Sequence, residues 1–254
     1  MSALVVLGRA GSAEWSRLWS VRSTWIFTVV TAVVVVGFGT ILGYDASTSS
    51  GPPPGATAWD GGRLAGMFAL FGVLALSVVT STADHGTGGI VPTLQWTPRR
   101  EVLFAARIGV IVVTTTVLGV VLLAVASLVI WTFVPEVGLP FGEGAETLGG
   151  LGYVLGAGAM LAVGLGLALR STAGALVSVV ALLLVLPFVL AQVGYDWAVT
   201  TAAHLPGAGA LFLIFGEGPS DEMTTTSARV TLAVWAVVAV VAGGLRLLRS
   251  DADR

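Results

Sequence analysis

Apolar residues gather into six long runs, Trp25–Gly43, Leu64–Ala83, Ile108–Val134, Leu148–Leu169, Thr172–Val193 and Val230–Leu245, and no Asp, Glu, Lys or Arg interrupts any of them. An α-helix rises about 1.5 Å per residue, so a hydrocarbon core about 30 Å thick takes roughly 20 residues. Five of the runs reach or nearly reach that length, and the flanks of the last complete it. A charge at the bilayer centre costs about 2.5–3.5 kcal/mol even on lenient insertion scales. Six uncharged segments in one chain therefore predict an all-α polytopic membrane protein with six transmembrane helices.

The polar positions predict the rest. Ahead of the first run, Trp15, Leu18 and Trp19 recur at helical spacing, with Glu14 and Arg17 off that side, which predicts a helix lying in the membrane interface. Lipid anchoring and docking of a cytoplasmic partner are its two open roles. Of the twelve basic residues, all arginine, ten fall on the side of the N terminus if there are six spans. Arginine-rich loops are retained in the cytoplasm, so both termini are expected there. Arg63 and Arg229 are the exceptions, each opening a span at the outer face, where a long side chain can snorkel to the headgroups.

The outer loops are then Tyr44–Gly62, Pro135–Thr147 and Gly194–Arg229, all acidic. The first runs from a flexible Ser47–Gly51 stretch into the stiff Pro52-Pro53-Pro54 and reads as a surface linker. In the third, Leu205–Phe215 is apolar but too short to span and is broken by Pro206, Gly207 and Gly209, which predicts a re-entrant or interfacial element. The chain is expected to be one membrane domain over 1–254: the interface helix in 1–22, the bundle over 24–249, an inner loop at 84–101 and the outer loop at 194–229.

Composition narrows the chemistry. The chain has 254 residues, 10% charged and 56% apolar. Without cysteine it has no disulfide, thiolate metal site or thiol nucleophile. Without lysine it cannot carry a P-loop, which needs that residue at the β- and γ-phosphates. His85 and His204 are too few and too scattered for a metal site, and no nucleophile or pocket accompanies the adjacent Asp84 and His85. The chain is not expected to be an enzyme or to bind nucleic acid, and no cofactor is expected on it. Gly152 and Gly156, followed by Gly164 and Gly166, suit close helix approach in lipid. Pro187 is expected to bend the fifth span, as a hinge or as a fixed shape.

The inner loop from Asp84 to Glu101 is the densest in special residues. Gly86, Gly88 and Gly89 permit a tight exit from the second helix, Ile90, Leu94 and Trp96 offer an apolar ridge, and Pro98 can open the third helix. Arg99 and Arg100 can hold the loop at anionic headgroups.

Several stretches together resemble the permease subunits of type-2 ATP-binding-cassette exporters of the compact bacterial six-helix kind: Ala13-Glu14-Trp15 and Arg22–Trp25 before the first helix, Thr93-Leu94 and Thr97–Arg100 before the third, Leu169–Ala175, Leu186-Pro187, Leu205–Gly207 and Arg249–Ala252. In that family the loop after the second helix begins with Glu, an aromatic, often a basic residue, then Gly-Thr or Gly-Ser, and closes on Pro-Arg-Arg. Here Asp84 stands for the Glu, His85 for the aromatic, Gly86 for the basic residue and Gly88-Gly89 for the pair, or Gly86-Thr87 in a shifted match. The resemblance implies that Glu14, Arg17, Asp84, His85, Gly86, Thr87, Gly88, Gly89, Pro98, Arg99 and Arg100 form a coupling surface seated on a separate cytoplasmic ATPase, which holds ATP and Mg. It implies a second permease chain, identical or not, in the bacterial cytoplasmic (inner) membrane, and export of a hydrophobic or amphipathic cargo such as a drug, lipid, glycolipid or peptide. Substrate-binding residues stay unassigned. A signalling or scaffold subunit and an ion-coupled transporter are the competing readings, the latter disfavoured because the runs contain no titratable relay.

Overall fold

The first elements are α1 (Ala3–Ser20) and α2 (Arg22–Thr48), joined by the single residue Val21. A short α3 (Ala58–Leu64) follows, then α4 (Gly66–Thr87) and α5 (Arg100–Phe133). Next come α6 (Phe141–Leu169), α7 (Thr172–Val180) and α8 (Leu186–Gln192), α9 (Asp196–Ala203), α10 (Pro206–Phe215) and α11 (Thr225–Arg249). This computed structural model describes residues 3–48, 51–87 and 100–249; among them there is no strand, and six helices are long and apolar enough to cross a membrane. They are α2, α4, α5, α6, the α7–α8 unit and α11, matching the six apolar runs.

Helix ends differ from the apolar runs because lipid limits the apolar stretch, while the helix continues wherever its residues favour it. α5 begins at Arg100, eight residues before Ile108, and its 34 residues extend about 51 Å. α6 begins at Phe141 rather than Leu148, taking Glu143 and Glu146 into its first turns.

The linker reading of 44–62 holds only in part, because Ala58–Leu64 is a helix built into the bundle. Its start is fixed by Thr57 N–H donating to Asp60 Oδ2 at 2.9 Å, half of a capping box. Trp59 is buried and its indole N–H donates to Pro140 O at 3.0 Å, tying α3 to the start of α6.

The second and fourth spans form the centre. Of their apolar stretches, 61% and 67% lie buried within the chain, against 22% in the first and fifth, which leave broad apolar flanks to their surroundings. Leu70, Val73 and Leu74 of α4, Leu123 of α5, Leu155 and Leu161 of α6 and Leu232 of α11 share one core cluster. α6 and α11 approach backbone to backbone: a Cβ at Gly164 would lie 2.6 Å from both Ala239 O and Val240 N. Gly152 and Gly156, singled out by spacing, meet only ordinary contacts, 3.4 Å to Val120 and 3.5 Å to Thr116.

Pro187 offers no N–H to the carbonyl of Leu183 four residues back, and its ring crowds that carbonyl. The fifth span absorbs this with a π-helical turn over Ala181–Val185. Gly207 of α10 packs on the freed Leu183 backbone, where a Cβ would come within 2.7 Å of Leu183 Cα. The distortion is thus braced by a neighbouring helix. Of the apolar stretch Leu205–Phe215, Pro206–Phe215 is α10, a single helix with Gly207 and Gly209 inside it rather than a broken one; the 75° bend lies before it, between α9 and α10. A pair bent in this way is a re-entrant loop or a broken seventh span.

Candidate functional site

α1 presents to the bundle a face different from the one its tryptophans mark. Leu18 and Glu14, one turn apart, are its buried residues, at 4% and 6% exposure, whereas Trp15 is half exposed. Leu18 joins Ile111 of α5 and Val163 and Leu167 of α6 in a second apolar cluster. Trp15, Trp19 and Trp25 stack in a ladder along the outside, with centroids 5.9 and 4.9 Å apart, and Trp25 Nε1 donates to Trp19 O at 3.0 Å. Leu18, grouped with the tryptophans by spacing, thus shares the packed face with Glu14, where a carboxylate can enter because cations meet it.

Two cations do. Glu14 Oε2 accepts from Arg17 Nε and Nη2 at 3.0 and 2.9 Å, and its Oε1 accepts from Arg107 Nη2 at 3.2 Å. Asp84, near the end of α4, accepts from Arg107 Nη2 at 2.6 Å and from Arg17 Nη1. Each carboxylate touches both guanidinium groups, closing a four-membered ring of zero net charge across three elements. Exposure runs from 0% at Arg107 through 13% at Asp84 to 26% at Arg17, so the ring is buried at one end and wet at the other. Arg107 Nε and Nη1 find no acceptor among the described residues. A cavity of about 20 Å³, space for about one water molecule, adjoins the ring between Glu14, Arg17, Thr24 and Thr80.

Burying charges costs several kcal/mol per ion, and their attraction repays this only while every partner is present. The ring is therefore weak evidence for stability but a strict requirement for registry: α1 must sit where both acids meet both arginines.

The charges come from outside the apolar runs, so counting charges within runs missed this burial. In the sequence Arg107 counts only as one of the ten arginines on the side of the N terminus. The available signal is its position between Leu103 and Ile111, at 3% and 2% exposure, on one helical stripe of α5.

Of the other residues singled out, His85, Gly86 and Thr87 continue α4 rather than leaving it by a tight turn. Gly88, Gly89, Pro98 and Arg99 lie outside the described residues. Arg100 opens α5, and its Nη1 donates to Leu248 O of α11 at 3.5 Å. The positions 85–99 are thus flanked in the chain by Asp84, in the ring, and by α5, which carries Arg107 in the same ring. Nearby, Thr82 and Thr172 hydroxyls bond at 2.7 Å, joining second and fifth spans. Arg170 takes a left-handed backbone conformation and donates to Arg246 O at 3.4 Å; burial first, and the neighbouring Arg246 second, push its guanidinium below the ordinary arginine pKa.

No protein-family model matches the chain, and no curated protein sequence matches it.

Proposed function

We propose that the chain is the membrane permease subunit of an ATP-driven exporter of the ATP-binding-cassette type, working with a separate cytoplasmic ATPase. The α1 end of the bundle is the cytoplasmic end in this reading, which puts Arg100, Arg107, Arg170 and Arg246 on the side where arginine is retained. The observation that carries the reading is the charge ring, which bolts α1 to the second and third spans at both roots of segment 85–99. A push on that segment by a partner reaches two spans and the interface helix as one rigid group. The open flanks of the first and fifth spans supply surface for a second permease chain, with lipid covering the remainder. The cargo is hydrophobic or amphipathic and passes between the two permease chains.

Arg99→Glu with Arg100→Glu is the direct test. The double variant is expected to insert normally but to lose pull-down of the ATPase, or its stimulated ATP hydrolysis, by at least tenfold, measured on purified complex. Normal assembly and turnover remove segment 84–101 from the mechanism, and absence of ATP-dependent efflux beyond a deletion strain removes the transport reading itself.

Ion-coupled transport gains one argument, since Glu14 and Asp84 are titratable and largely buried. Both carboxylates are held between arginines at one end of the bundle, whereas proton relays sit near the bilayer midplane. Collapse of efflux by a protonophore at constant ATP selects that reading; collapse by vanadate selects the ATPase.

A further inference from the structure

At the end of the bundle opposite α1 a cavity of about 480 Å³ opens between α3, α6, α10 and α11. That size lies within the range of small-molecule sites. Five charged residues line it: Asp60, Arg63, Glu143, Glu146 and Arg229. Two are committed to the fold. Asp60 holds the start of α3, and Arg63 caps the end of α10, its Nε donating to Ile214 O at 2.6 Å and its Nη2 to Leu213 O at 3.3 Å.

The other three are not. Glu143 and Glu146 stand three residues apart on one face of α6, and Arg229 opens the last span, its backbone carbonyl accepting from the Tyr153 hydroxyl at 2.7 Å. Acidic residues at a helix start are ordinary, because the helix dipole favours them. Arg229 is the unusual member: it lines the same cavity as three carboxylates, yet among the described residues its side chain forms no ion pair or hydrogen bond. Opposite charges that share a cavity without closing on each other leave room for a molecule carrying both. Leu151 and Phe212 add apolar lining to the same cavity.

We infer that this cavity binds a zwitterionic amphiphile, its ammonium group held by Glu143 and Glu146, its phosphate or carboxylate by Arg229, and its apolar part against Leu151 and Phe212. A phosphoethanolamine headgroup has this chemistry, on a lipid or free. The site is built from this chain alone and stands whether or not ATP drives transport.

The test uses the full chain purified in a maltoside detergent and titrated with dihexanoyl phosphatidylethanolamine, followed by calorimetry. Saturable binding at one site per chain is expected, with dihexanoyl phosphatidylglycerol, which lacks the ammonium, at least tenfold weaker. Glu143→Gln with Glu146→Gln, and separately Arg229→Gln, are each expected to weaken binding about tenfold or more, the scale of one lost charge-assisted hydrogen bond. All three side chains are exposed, so the variants should melt with the parent, which separates lost binding from lost folding. A requirement for the tails upholds the amphiphile site; tail-free phosphoethanolamine binding as tightly overturns the part given to Leu151 and Phe212 and leaves a site for a soluble zwitterion. Unchanged affinity in the double variant, or equal binding of phosphatidylglycerol, overturns it.

Discussion

Arg107→Met is expected to destabilise the folded bundle by about 3–5 kcal/mol, the scale for removing one partner from a buried charge cluster. Methionine keeps most of the volume, so the loss reports charge and not a cavity. Without Arg107, Glu14 at 6% exposure and Asp84 at 13% must share Arg17, the wettest member of the ring. One negative charge is then left uncompensated beside the apolar cluster of Leu18 and Ile111. The check is unfolding in detergent, followed by tryptophan fluorescence, since Trp15 and Trp19 ride on α1, one of the elements the ring joins, and Trp19 stacks on Trp25 of α2. Arg107→Met with Asp84→Asn restores neutrality and is expected to recover most of the loss. A single variant costing under about 1 kcal/mol, or a double variant no better than the single, shows that the ring does not set the position of α1. In the proposed transporter the single variant should still bind its ATPase and lose transport, because the loop remains while its mechanical root is cut.

The six spans could be read from the sequence because lipid imposes a length and a composition that local residues satisfy alone. Pro206 likewise marks the start of α10, next to the 75° bend, whereas Gly207 and Gly209, read as breaks, lie inside the helix because they pack against Leu183 and Ala228 backbone. Helix ends were less legible, since Arg100–Arg107 and Phe141–Thr147 are helical for reasons unrelated to the bilayer. The ring was legible by halves. Glu14, Arg17 and Asp84 stood out as charges near special loops, but what they touch depends on contacts 67 and 93 residues apart in the chain. Arg107, one residue outside an apolar run, was hidden by the boundary itself. Glycine spacing had the same blindness: it shows which glycines share a helix face, but which of them meets another backbone depends on how the neighbouring helix is turned.

That difference gives the second large effect. At Gly164 a Cβ would press on the Ala239–Val240 peptide, and at Gly243 across the same contact a Cβ would lie 2.6 Å from Gly164 O. The obstacle in both cases is backbone, which cannot rotate aside as a side-chain tip can. Gly164→Ala is therefore expected to cost about 1–3 kcal/mol, the range for overpacking a tight interior, and Gly164→Val more, because it separates α6 from α11. Gly152→Ala and Gly156→Ala meet only the ordinary contacts with Val120 and Thr116, so they should be neutral or gain up to about 1 kcal/mol from the lost freedom of glycine in the unfolded chain. Melting temperatures of the four variants in one detergent decide the matter. If Gly156→Ala falls as far as Gly164→Ala, spacing on the helix controls assembly; if only Gly164 responds, the control lies where the backbones of α6 and α11 touch.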